Sequence, residues 1–177
     1  MEKGKIIYLN GVTSTGKTSI TRALQESEEH FFYAMSNDLF QEMVGERYLR
    51  ADYWKHLWDA ILMMYHTAKL FSDMGKNVII DGMILEKEEF RPHYQQVLEI
   101  FKDNPLEIVE VYCPLEICRQ RNIQRGNRGE FQSEYQNRYM AQDVVHSMRV
   151  DTGKNSPKEC ANQIIYGLFA KSACGRE

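Results

Sequence analysis

Gly11-Val12-Thr13-Ser14-Thr15-Gly16-Lys17-Thr18 follows the spacing G-x-x-x-x-G-K-[ST], a pattern whose chemistry is phosphate binding. Backbone N–H groups of such a loop turn inward around an anion, because glycine permits the close approach and the left-handed angles that turn requires. Lys17 adds a positive charge for the outer phosphates, and Thr18 offers a hydroxyl to a magnesium ion. Gly11, Thr13, Ser14, Thr15, Gly16, Lys17, Thr18 and Ser19 are therefore the candidate nucleotide-binding residues. The run Ile6 to Leu9 before the loop predicts a strand, and Ser19-Ile20-Thr21-Arg22-Ala23-Leu24 after it continues as a helix. That is the setting the motif needs, since the helix then presents its positive end to the anion.

Two carboxylates stand where a phosphoryl group would move. Asp38 follows the second strand-like run and Asp81 ends Asn77-Val78-Ile79-Ile80-Asp81; in an open parallel sheet, ligands sit beyond the carboxyl ends of the strands. Asp38 is assigned to the acceptor side, as a base at the acceptor hydroxyl, and Asp81 to metal or acceptor positioning, with Thr18 as the other metal ligand. Each has a plain rival: Asp38 as a helix N-cap, Asp81-Gly82 as a turn. Arg119, Arg121, Arg125 and Arg128 crowd one short segment. Arginine's planar fork grips phosphate oxygens in pairs; the alternative is a solvated helix face. Arg125 and Arg128, beside Gly126 and Gly129, are the candidate catalytic arginines, with Lys17 and Asp38, and the segment from about 119 to 130 is expected to act as a mobile lid. Thr152, in the turn-rich loop Val150 to Pro157, is the candidate for lining the nucleotide. On the acceptor side, residues 39–75 are rich in aromatic residues and methionine, and Trp54 and Trp58 are the candidate walls.

The elements that must position these residues alternate. Five apolar runs, Ile6 to Leu9, Phe32 to Met35, Val78 to Ile80, Ile108 to Tyr112 and Ser147 to Val150, predict strands buried on both faces. Between them lie helical spacings such as Leu57, Ile61, Met64, Ala68 and Phe71, or Phe90, Tyr94, Val97, Leu98 and Phe101. The prediction is an α/β fold: one P-loop domain over 1–177, a five-stranded parallel sheet with helices on both faces. Gly75-Lys76-Asn77 predicts the stop of a long helix that begins near Asp52, and Ser156-Pro157-Lys158-Glu159 predicts a capping box at the start of the last helix.

A formal charge of -3, from 22 Lys+Arg against 25 Asp+Glu, provides no field that would collect a polyanion, so nucleic acid is not an expected partner. Cys113, Cys118, Cys160 and Cys174 have neither zinc nor C-x-x-C spacing and predict buried free thiols. Neither a signal peptide nor a membrane span is evident, so a cytoplasmic protein is expected. Oligomeric state stays open, a homo-oligomer included.

The chain resembles the chloramphenicol phosphotransferase-like family of P-loop kinases. The resemblance runs through the residues Ile7 to Gly11, Lys17-Thr18, Asp38, Val78 to Asp81, Cys113-Pro114-Leu115-Glu116, Arg125-Gly126-Asn127-Arg128-Gly129, Gln136, Val150-Asp151-Thr152 and Ser156 to Ala161. It implies ATP and Mg²⁺ as co-substrates, transfer of the γ-phosphate to an alcohol on a small molecule, and Asp38 at the place of the family's proposed general base. It departs where that family often carries a second acidic residue, at Gly82 here. The rival readings are a kinase of nucleotides or nucleic-acid ends, and a nucleotide-dependent switch that transfers nothing.

Overall fold

A computed structural model describes residues 2–88 and 92–169; Cys174 and the helical position of Phe90 lie outside them. β1 (Ile6–Asn10), β2 (Phe32–Ser36), β3 (Asn77–Gly82), β4 (Leu106–Tyr112) and β5 (Met148–Asp151) form one sheet in the order β2-β3-β1-β4-β5, parallel throughout. All five expected strands are present.

Side-chain alternation along β1 divides the core in two. Ile6 and Tyr8 join one buried cluster with Leu57, Ile61 and Met64 of α4 (Tyr53–Asp73) and Val97 and Phe101 of α5 (His93–Phe101). Ile7 and Leu9 join the other, with Ile20 and Leu24 of α1 (Lys17–Gln25) and Ala161 and Ile164 of α8 (Pro157–Phe169). Trimming a fully buried β1 residue such as Ile7 to Ala should cost about 2–5 kcal/mol. Burial on both faces holds at the centre and fails at the margins: Tyr33 of β2 is 37% exposed and Arg149 of β5 is exposed, because an edge strand has a neighbour on one side alone.

The helix boundaries follow their side chains. Asp52 caps α4 by accepting the Lys55 N–H at 3.2 Å, and Gly75 ends its run in the left-handed region at φ 75°. At α8, Glu159 accepts the Ser156 N–H at 2.7 Å while the Ser156 hydroxyl accepts the Glu159 N–H at 3.3 Å, the two halves of a capping box. Two short helices, α2 (Asn37–Glu42) and α3 (Glu46–Ala51), lead from β2 into α4. Beyond β4, α6 (Leu115–Arg125) and α7 (Gln132–Asn137) carry the arginine segment back over the loop between β1 and α1. Cys113, Cys118 and Cys160 are buried free thiols, and among the described residues no helix is long and apolar enough to cross a membrane.

Candidate active site

Two residues of the Gly11–Thr18 loop, Ser14 at φ 61° and Gly16 at φ 98°, take left-handed backbone angles, which curl the chain into an anion-binding concavity ahead of α1. Lys17 reaches across this curl. Its ammonium donates to the carbonyls of Gly11 and Val12 at 2.7 and 2.9 Å and stands 3.7 Å from Asp81 Oδ1. Burial pushes the Lys17 pKa below its ordinary value, while the nearby carboxylates of Asp81 and Asp38 pull it back up. The Thr18 hydroxyl donates to Asp81 Oδ2 at 2.7 Å. Register explains the meeting: Asp81 of β3 lies beside Leu9 of β1, two residues before the loop begins. Asp81 and Gly82 thus belong to a strand, and the turn reading falls away.

Asp38 does not cap its helix. Ser36 does, its Oγ accepting the Leu39 N–H at 3.1 Å. A Ser two residues ahead of Asp38 was a legible signal for that cap. The carboxylate of Asp38 is left to the cleft, where Oδ2 accepts from Arg128 at 2.9 Å.

The four arginines divide into distinct environments. Arg119 pairs with Glu130 and lies over the Phe131 ring. Arg121 donates to the Ser14 carbonyl at 3.1 Å and to the Thr152 hydroxyl and carbonyl at 3.1 and 2.9 Å. Arg125 and Arg128 line a cleft of about 640 Å³ together with Lys17, Thr18, Asp38, Asp81 and Trp54. Two expectations shift. Thr152 is buried, and its hydroxyl donates to the Thr15 carbonyl at 2.5 Å, so it braces the loop from below instead of facing the cleft. Trp58 packs edge-on against His93 with ring centroids 4.8 Å apart and against the α4–α5 core, because its place on α4 turns it toward that core. Ser19 is exposed on the first turn of α1. Gly11 and Thr15 line a second cavity behind the loop.

Three residues of α6 and α7 without a predicted role grip the loop. Asn122 accepts the Ser14 hydroxyl at 2.7 Å and donates to Ser133 Oγ at 2.9 Å. Ser133 donates to the Thr13 carbonyl at 3.1 Å, and Gln136 Oε1 accepts the Thr13 N–H at 2.7 Å. Ser133 and Gln136 share a face of α7 at i,i+3, a weak signal in sequence alone.

Gly82 also acquires a physical reason. A Cβ there would fall 2.6 Å from the Tyr8 hydroxyl, which hydrogen-bonds Tyr65 at 2.9 Å. Tyr65 in turn meets His93 Nε2 at 2.7 Å. The Leu85 N–H donates to His93 Nδ1 at 3.0 Å, so Nδ1 carries no proton and the ring is neutral. Burial holds the His93 pKa down at about 3.

The model of the chloramphenicol phosphotransferase-like family matches residues 4–168. The chain belongs to this family. A Mycobacterium tuberculosis (strain H37Rv) protein named "Putative O-phosphotransferase" is 25% identical over 190 residues, covering 93% of this chain and 82% of that protein. Among solved structures, the chain superposes on Mycobacterium tuberculosis APS kinase with a TM-score of 0.70 at 17% identity, over 95% of this chain and 99% of the other. Shikimate kinase from Acinetobacter baumannii gives a TM-score of 0.63 at 18% identity, over 99% and 97%. These two likenesses establish the fold, and the family match makes this a kinase-type P-loop protein.

Proposed function

We propose that this family member transfers the γ-phosphate of ATP to a hydroxyl of a small molecule. The observation that carries the reading is the juxtaposition of the Asp38–Arg128 pair with Lys17, Thr18 and Asp81 around one cleft of about 640 Å³. That size suits a small molecule.

The inward loop binds the phosphate chain, Lys17 exchanging its contacts with Gly11 and Val12 for phosphate oxygens. The acceptor oxygen forms a bond to the γ-phosphorus, the bond from that phosphorus to the β–γ bridging oxygen breaks, and ADP departs with the electron pair. Asp38 takes the hydroxyl proton. Arg125 and Arg128 lie against the oxygens on which charge shifts during transfer. Among the described residues no group of three or more His, Cys, Asp or Glu side chains is arranged to hold a metal. The adjacent hydroxyl of Thr18 and carboxylate of Asp81 do fit Mg²⁺, which takes one or two protein oxygens and completes its shell with phosphate and water. Mg²⁺ would supply charge neutralisation between the phosphates there. Trp54 walls the acceptor's side of the cleft, and the part of the 119–130 segment beyond the loop-gripping α6, which carries Arg128, closes over it as a lid, bending at Gly126, whose φ is 67°.

A panel of hydroxylated metabolites and antibiotics, chloramphenicol among them, tests the reading by ADP release together with a one-phosphate mass gain on the acceptor. At least one alcohol should show both, and Asp38→Asn should lose both. ATP hydrolysis with no phosphorylated product across the panel contradicts transfer.

A further inference from the structure

From Asp81 onward the chain leaves β3 with a period of two. Asp81, Met83, Leu85 and Lys87 line the cleft, with the side-chain-less Gly82 between the first two, while Ile84 is buried and Glu86, which does not line the cleft, is exposed. This alternation carries the cleft away from the phosphate loop along one extended segment, by at most about 20 Å between the Cα atoms of Asp81 and Lys87. Along it the wall is apolar, and it ends in a charge.

The Lys87 ammonium lies in an aromatic cage: 3.8 Å from the Trp54 ring centroid, 4.6 Å from Tyr139 and 5.3 Å from Tyr135. It donates to the Tyr135 hydroxyl at 3.2 Å. An ammonium has three donors, and among the described residues no carboxylate comes within ion-pair distance of Lys87. Arg128 and Lys17 differ in this respect, having Asp38 and Asp81; Arg22 and Arg125, which also line the cleft, lie on the phosphate-loop side of it, away from the Lys87 end. Ring faces hold a cation in position without accepting its hydrogen bonds as a carboxylate would, and beyond the one to Tyr135 an anionic ligand group would take up donors that no carboxylate among the described residues meets, with charge-assisted hydrogen bonds.

We infer that the acceptor is a hydroxy acid: an alcohol at the Asp38 end, an apolar or aromatic body along Met83, Leu85 and Trp54, and a carboxylate or comparable anion on Lys87. This rests on the small-molecule kinase reading and names the class of acceptor within it. A cationic acceptor, the usual guest of an aromatic cage, is disfavoured because the cage already holds the protein's own ammonium.

The test uses 4-(hydroxymethyl)benzoate, its biphenyl homologue 4'-(hydroxymethyl)biphenyl-4-carboxylate, and the methyl ester of each. Binding by calorimetry and phosphate transfer from ATP by mass are measured on the wild-type protein, Lys87→Met and Lys87→Arg. Lys87→Met keeps the packing of the side chain and removes the charge, so its melting temperature should hold. The expected result is at least one acid bound tenfold or more tightly than its ester, a preference abolished in Lys87→Met and retained in Lys87→Arg. Acids bound no better than esters, or a preference that survives in Lys87→Met, overturns the inference. Preferential binding of an acid with no transfer to any alcohol supports the anion site on Lys87 but overturns the acceptor role, and counts against the kinase reading.

Discussion

Arg128 and Asp38 lie ninety positions apart in sequence and meet at 2.9 Å across the mouth of the cleft. The contact ties the arginine segment to the carboxyl edge of β2, and it leaves the Asp38 side chain 68% exposed, open to an incoming hydroxyl. Asp38→Asn should lower acceptor-dependent turnover by about 10²–10⁴-fold while ATP binding, followed with a fluorescent nucleotide, stays within about twofold. Because the pair is solvent-screened, the same variant should unfold within ~0.5 kcal/mol of wild type.

Lys17 predicts an alkaline limit. Its pKa lies below the ordinary 10.5, chiefly through burial, so the charge is lost at a lower pH than on a free lysine and ATP affinity should fall as pH rises toward that value. Asp81 opposes the shift; Asp81→Asn should therefore move the fall further toward neutrality. Titrations of ATP binding from neutral to alkaline pH read both limbs. A flat affinity in both proteins would count against Lys17 as the phosphate-binding charge.

His93 predicts an acid limit on stability. Its folded pKa of about 3 lies below the ordinary 6.5, so between those values the unfolded chain binds the proton and the folded one does not. The contribution is full above pH 6.5 and is lost as pH falls toward 3, amounting to about 5 kcal/mol at most. Urea unfolding of wild type should weaken through that window. His93→Phe, less stable at neutral pH for want of the Tyr65 and Leu85 hydrogen bonds, should show a flatter profile.

Gly82→Ala places a methyl 2.6 Å from the Tyr8 hydroxyl and 3.0 Å from its ring carbon. Overpacking of this kind costs about 1–3 kcal/mol. Tyr8→Phe in the same chain should recover part of the loss by removing the nearer atom, a non-additivity that a double-mutant cycle by thermal melting measures.

The strand order's central feature, a phosphate loop between β1 and α1, was legible because glycine spacing, flanking strand and following helix agree. Asp81 was legible for a similar reason, standing at the end of an uninterrupted apolar run. Asp38's setting was half legible: its position after β2 was evident, but Ser36 and Asp38 are both good capping residues in sequence, and only the fold shows that Ser36 takes the cap. Trp54 and Trp58 show the limit. Four residues apart on α4, they are equivalent to any composition argument, yet one lines the cleft and the other packs on His93. What packs over each turn of α4 decides between them, and Trp58 meets His93 of α5, an element on the far side of β3 in the chain, so no local pattern encodes the contact. The grip of Asn122, Ser133 and Gln136 on Thr13 and Ser14 was hidden for the same cause, since those polar pairs lie 108 or more positions apart in sequence and carry no local period.

A single-turnover reaction with γ-¹⁸O-labelled ATP, enzyme in excess and an alcohol drawn from the panel tests the central claim most directly. The expected result is label on the acceptor's new phosphate, formed with ADP in equal amounts and absent in Lys17→Ala. Label appearing only in inorganic phosphate, at a rate indifferent to the alcohol, would contradict it.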